Sequence, residues 1–128
     1  MAERGAVHLT LLALLLGGML MLGLAVDLAR FAATWREASH LAATSAEAGA
    51  GWIDETAARR GELEVDATRS RVAATQVASG SGRSVLISVT PARVCVRVSI
   101  PVHPTLLAMV GAAPRQASAV ACAEPRRG

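Results

Sequence analysis

The chain has 128 residues, a formal net charge of +3 and no lysine, so all thirteen of its basic side chains are Arg. These arginines are scattered without a basic block or interleaved aromatics, which argues against a nucleic-acid partner. The length allows one small domain beside a membrane segment. Phe31, Trp35 and Trp52 are the only aromatic residues, so a core outside the membrane has to be built from Val, Ile, Leu and Ala.

Residues 7–26 (VHLTLLALLLGGMLMLGLAV) form one uncharged run, and no second run of this kind occurs. As a helix it reaches about 30 Å, the thickness of a bilayer's hydrocarbon core. A cleaved secretory signal has a shorter apolar core followed by small residues at the cut. Here only Gly23-Leu24-Ala25 loosely resembles such a site, and no helix breaker follows it. The spacing predicts one continuous helix from about Val7 to Ala48, with the break at Gly49 and Gly51. An anchor fits that pattern better than a signal. The Arg count on the two flanks does not by itself favour an N-terminus inside. The short N-terminal tail and the bulk of chain beyond the anchor place the C-terminal part outside the cytoplasm.

Beyond the anchor, Leu28, Phe31, Trp35 and Leu41 fall close to one helical stripe. Small residues recur every fourth position as Ala25, Ala29 and Ala33, then Ala38, Ala42, Ala46 and Ala50. Ridges of this kind let two helix backbones approach closely, which predicts lateral packing against similar helices. An Ala-rich sequence also produces such spacings by chance. Asp27 with Arg30, and Arg36 with His40, sit at helical-neighbour spacings and read as the solvated edge of the helix where it leaves the membrane.

The stretch WIDETAARR predicts a short helix or loop, and Asp66 an N-cap for a helix over 67–78 with Val72, Ala73 and Val77 on its apolar face. SGSGR is a flexible turn. Residues 84–90 and 94–100 then predict strands. In the second, Val94, Val96, Val98 and Ile100 face the core while Cys95, Arg97 and Ser99 face out. After a turn over Pro101 to Pro104, TLLAMVG predicts a short apolar helical turn. A last strand over 116–124 puts Ser118, Val120 and Cys122 on one face and alanines on the other. Cys95 and Cys122 thus lie on the more polar faces of two strands. In an exported domain they are expected to pair, the alternative being two free thiols.

Nothing in the sequence assembles a catalytic or metal site. His8, His40 and His103 are far apart, the two cysteines make no zinc pattern, and no phosphate loop or nucleophile elbow is present. The cluster Glu62, Glu64, Asp66 most simply serves a helix N-terminus. The expectation is a non-enzymatic protein with no cofactor, no metal, no small-molecule substrate and no nucleic acid.

Three segments of this chain, ERGAVHLTLLALLL, LAVDLARF and REASHLAATSAEAGA, resemble the N-terminal region of TadE/TadG-like proteins of Flp (tight adherence) pilus systems. The matching positions are Arg4 to Val7, Val26 to Arg30 and Ala46 to Ala50, and the tail with VRVSIPV and TLLAMVG is similar to actinobacterial members. The resemblance covers most of the chain through short motifs. It implies a pilin-like architecture, with partners among other pilin-like subunits and the membrane platform of a pilus or secretion machine. It also implies leader cleavage after Gly5, leaving Ala6 as the new N-terminus, in members that carry a prepilin-type leader. Those members have Glu at the fifth mature position, where this chain has Thr10. The departure favours an uncut anchor or a tip-like subunit.

The expected fold class is α+β: a long N-terminal transmembrane helix packed on a small antiparallel sheet, with one or two short helices. Residues 1–6 are a short tail or leader, 7–26 the transmembrane segment, 27–50 the extramembrane continuation of the helix, and 51–128 a small extracytoplasmic α/β domain. The expected function is that of a minor subunit or assembly factor of a Tad/Flp-type pilus or secretion apparatus, in the cytoplasmic membrane. The alternative is a membrane-anchored extracytoplasmic module that binds a ligand or regulates a partner.

Overall fold

The computed structural model describes residues 2–126. Helix α1 (Ala2–Ala50) is unbroken over 49 residues, about 73 Å at 1.5 Å per residue. It is followed by α2 (Glu55–Arg59), α3 (Ala67–Ala78) and the strands β1 (Ser84–Thr90), β2 (Arg93–Val102) and β3 (Arg115–Ala123), with a 3₁₀ turn at Leu107–Val110 between the last two. The strands form one antiparallel sheet in the order β1-β2-β3. The architecture is therefore the expected α+β one, a long apolar N-terminal helix with a small antiparallel sheet and short helices. Near the N-terminus, α1 is long and apolar enough to cross a membrane.

Helix α1 has two different halves. From Ala6 to Leu22 every side chain is exposed, with Gly17 and Gly18 in open space. From Ala38 onward one face is buried, and the residues on it are small: Ala38, Ala42, Ala46 and Ala50. Against them lie the fully buried Val94, Val96 and Val98 of β2 and the inner alanines of β3, Ala117, Ala119, Ala121 and Ala123. The alternation in β2 and β3 explains this placement, because successive side chains of a strand point to opposite faces. Ala on Ala lets helix and sheet approach closely, so the core is thin but dense. Its small members serve even where they are polar. Ser45 is fully buried, and its hydroxyl has no hydrogen-bond partner; the packing uses its size.

Both short helices begin on an aspartate. Asp54 caps α2 through the N–H groups of Thr56 and Ala57, and Asp66 caps α3 through those of Thr68 and Arg69. The hydroxyl and N–H of Thr56, followed by the N–H of Ala57, hold the Asp54 carboxyl below its ordinary 3.8. Asp66 takes the capping role read from the sequence, and α3 spans the expected residues.

The buried face of α3 differs from the expected one. Ser70, Ala74 and Ala78 are buried, whereas Val72 and Val77 are 54% and 40% exposed and Ala73 is half-buried. The reason lies at Gly49, which sits inside the last turn of α1. A Cβ there would stand 3.0 Å from Val94 Cγ1, 3.1 Å from the Ser70 carbonyl oxygen and 3.4 Å from Ala74 Cβ. Two helices and a strand meet with no room for a valine, so α3 turns its small face inward and leaves its larger residues at the surface.

Other expectations are met closely. Strand β1 has the expected limits, and β2 starts one residue earlier and ends two later than expected, while β3 lies one residue earlier. Cys95 and Cys122 stand opposite each other in the β2–β3 register and are joined by a disulfide. Glu37 of α1 receives a hydrogen bond from Arg83 at 2.6 Å, which ties the mouth of β1 to the helix.

Two predictions follow from this packing. Ala42→Leu overfills the α1–sheet contact and is expected to destabilise the domain by at least about 1–3 kcal/mol, whereas Ala29→Leu, on the exposed stretch of α1, leaves stability unchanged. Denaturant unfolding of both variants in detergent measures the contrast, and equal midpoints would contradict it. Thiol titration of the denatured, unreduced protein is expected to find no free thiol. Closing a 27-residue separation stabilises the domain by about 3.5 kcal/mol through the unfolded chain, so reduction lowers the unfolding midpoint.

Candidate functional site

The apolar run of α1 ends at Asp27, and that carboxylate organises the junction between the helix and the domain. Strand β2 runs down to Val102 and hands over to His103-Pro104-Thr105. The chain then enters the 3₁₀ turn, whose first N–H groups have no carbonyl within the turn to bond. Asp27 supplies the acceptor. Its Oδ1 accepts from the Thr105 N–H at 3.2 Å and the Thr105 hydroxyl at 3.0 Å. Its Oδ2 accepts from the N–H groups of Leu106 at 3.1 Å and Leu107 at 2.8 Å. Arg30, one turn further along α1, donates to Thr105 Oγ1 at 2.7 Å.

Asp27 is thus only 6% exposed, and the reading of it as part of a solvated helix edge is corrected. A buried carboxylate with four donors aimed at it is stable because each lone-pair direction is used. The Leu107 N–H is the largest influence on its acidity and lowers it; burial opposes this, and the donors of Thr105 and Leu106 add to the lowering. The net result is a carboxyl held below its ordinary 3.8.

Gly23, one turn before Asp27, is what lets the turn come this close. A Cβ on Gly23 would stand 3.3 Å from Leu106 Cβ and Cδ1. On the other side of the junction a half-open cleft of about 340 Å³ lies between α1 and the β2–β3 connection. It is lined by the apolar Leu28, Phe31, Val102, Pro104 and Leu107 together with Arg30, His103 and Arg115.

The remaining singled-out residues fall into separate places. Ala38, Ala42 and Ala46 are buried inside this chain's own core, so they are not free to meet a neighbouring helix, as the repeat of small residues predicted. Ala25, Ala29 and Ala33 remain exposed on α1. Gly5 and Ala6 lie within the helical run, and Thr10 turns its hydroxyl back to the Ala6 carbonyl at 2.8 Å. Among the described residues no group of three or more His, Cys, Asp or Glu is placed to hold a metal ion. The Asp27–Thr105 junction joins residues 78 positions apart, and no local pattern reveals it. The one signal was an acidic residue at the end of an apolar run.

No family model matches this chain, and neither a curated protein nor a solved structure does.

The junction makes a pH prediction. A carboxyl with a lowered folded value contributes its stability in full above the ordinary 3.8, and loses it as pH falls through the lowered value. In a carbon-detected NMR titration the Asp27 carboxyl is expected to show a midpoint below 3.8. Asp27→Ala is expected to remove the exchange protection of the Leu106 and Leu107 amides while leaving that of β2 intact. Unchanged protection would contradict the capping role.

Proposed function

We propose that this chain is a non-enzymatic, single-pass membrane protein acting as a pilin-like component, a minor subunit or assembly factor, of a Tad/Flp-type pilus or secretion apparatus. On this reading residues 7–26 cross the cytoplasmic membrane, and the domain formed by the rest of the chain stands outside the cytoplasm. The observation that carries it is the division of labour along α1. One half is bare and apolar, and the other is the central support of a small sheet. A protein built this way displays a domain at a fixed position above a bilayer and leaves a helix free for lateral contact. The short motifs around Arg4 to Val7, Val26 to Arg30 and Ala46 to Ala50 support the choice of machine. The disulfide supports an oxidising compartment for the domain.

Lateral assembly falls to the exposed small residues Ala25, Ala29 and Ala33, because the later members of the repeat are already used within the chain. Cysteines placed at Ala29 and Ala33 are expected to trap a related helix under oxidising cross-linking in native membranes. A protein that is folded, with its disulfide formed, and that traps no such helix would rule out lateral assembly. The cleft beside Asp27 favours a second reading, an anchored module that binds a ligand at the membrane surface; that reading requires no partner helix.

A further inference from the structure

We infer that the turn between β2 and β3 is a second membrane contact: the apolar apex formed by Leu106, Met109 and Val110 lies in the interfacial layer of the leaflet from which α1 emerges. The inference rests on the reading that residues 7–26 span the bilayer, and it concerns how the domain is seated on that bilayer.

The first observation is height. Leu106 packs on Gly23, four residues to the apolar side of Asp27, and so about 6 Å further into the membrane at the helical rise. Amphipathic elements that lie in a bilayer interface bury their apolar face about 5–10 Å deep. Thr105, Leu106 and Leu107, which lead into the apex, are held beside this part of α1 by four hydrogen bonds to Asp27.

The second is exposure. Met109 is 83% exposed, Val110 67% and Leu106 46%, and the stretch from Thr105 to Pro114 contains no charged residue. Arg30 and Arg115 are among the residues that line the adjoining cleft, and guanidinium groups next to a bilayer surface pair with lipid phosphates.

The third is the backbone. Lipid tolerates a turn only where its polar groups are bonded within the protein. The N–H groups of Thr105, Leu106 and Leu107 go to Asp27, and those of Met109, Gly111 and Ala112 go to carbonyls within the turn. An apolar apex with these six amide donors bonded within the protein suits the edge of a bilayer better than water.

The test uses the full chain, in which the native cysteines are locked in the disulfide and a single introduced cysteine takes a polarity-sensitive fluorophore. Labels go at Met109, at Leu15 in the middle of the apolar run, and at Leu86 on the outer face of the sheet. The chains are reconstituted in phosphatidylcholine–phosphatidylglycerol vesicles carrying a nitroxide near the lipid headgroup. The label at Met109 is expected to emit at shorter wavelength than the one at Leu86 and to be quenched several-fold more by the nitroxide lipid. If Met109 behaves like Leu86 while Leu15 is shielded from water, the inference fails and the spanning reading stands. If Leu15 is exposed to water, both fail. A Met109 label shielded from water but untouched by the nitroxide means that another protein surface covers the turn, and this also overturns the inference.

Discussion

The structure depends on how closely a helix can approach a sheet when the side chains between them are alanines. With three aromatic residues in the whole chain, the domain has no large side chain around which to build a thick core. It solves the problem by proximity. The alanine face of α1 meets the alanine face of β3 and the valines of β2, and α3 closes the group through Ser70, Ala74 and Ala78. Dispersion attraction is short-ranged, so a tightly approached small-residue contact stabilises where a loose one would not. The same requirement leaves a glycine at position 49, where α1, α3 and β2 converge.

That close contact would leave the lower end of the sheet unattached, since α1 presents no buried alanines between Gly23 and Ala38. Polar interactions take over there. Glu37 holds Arg83 at the start of β1, and Asp27 holds the connection between β2 and β3. The domain is thus packed on the C-terminal part of the helix through apolar contact and pinned at the end nearer the apolar run through a carboxylate. With the helix placed in a bilayer as proposed, water is scarce beside Asp27, and a carboxylate with its donors in place is then stronger than at an ordinary surface.

Much of this is legible in the sequence, and each failure has its own physical cause. Strands announced themselves by strict alternation, as in Val94 to Ile100, and the cysteines fell opposite each other because both sit on outward positions of adjacent strands. Helix α3 was found by its aspartate cap. Its buried face was missed because hydrophobic periodicity weights large residues, while this packing selects small ones; Val72 and Val77 pointed the wrong way for that reason. The alanine repeat of α1 was visible, yet a repeat of small residues does not say whether its partner is another chain or the chain's own sheet. The Asp27 junction depends on a partner far along the chain, and no local rule encodes it.

The continuity of α1 has a mechanical consequence. No break separates the apolar run from the part that carries the sheet, and the Asp27 junction ties the end of that run to the domain. The glycine pair at 17 and 18, which lowers the helix's stiffness, lies within the apolar run. With the helix placed in a bilayer as proposed, span and domain form one lever with its fulcrum inside the membrane. From Gly18 to Ala50 the arm is about 48 Å, so a tilt of about 10° moves its far end by about 8 Å. Changes in bilayer thickness or in lateral pressure on the helix would then reach the domain undamped, as displacement rather than as unfolding.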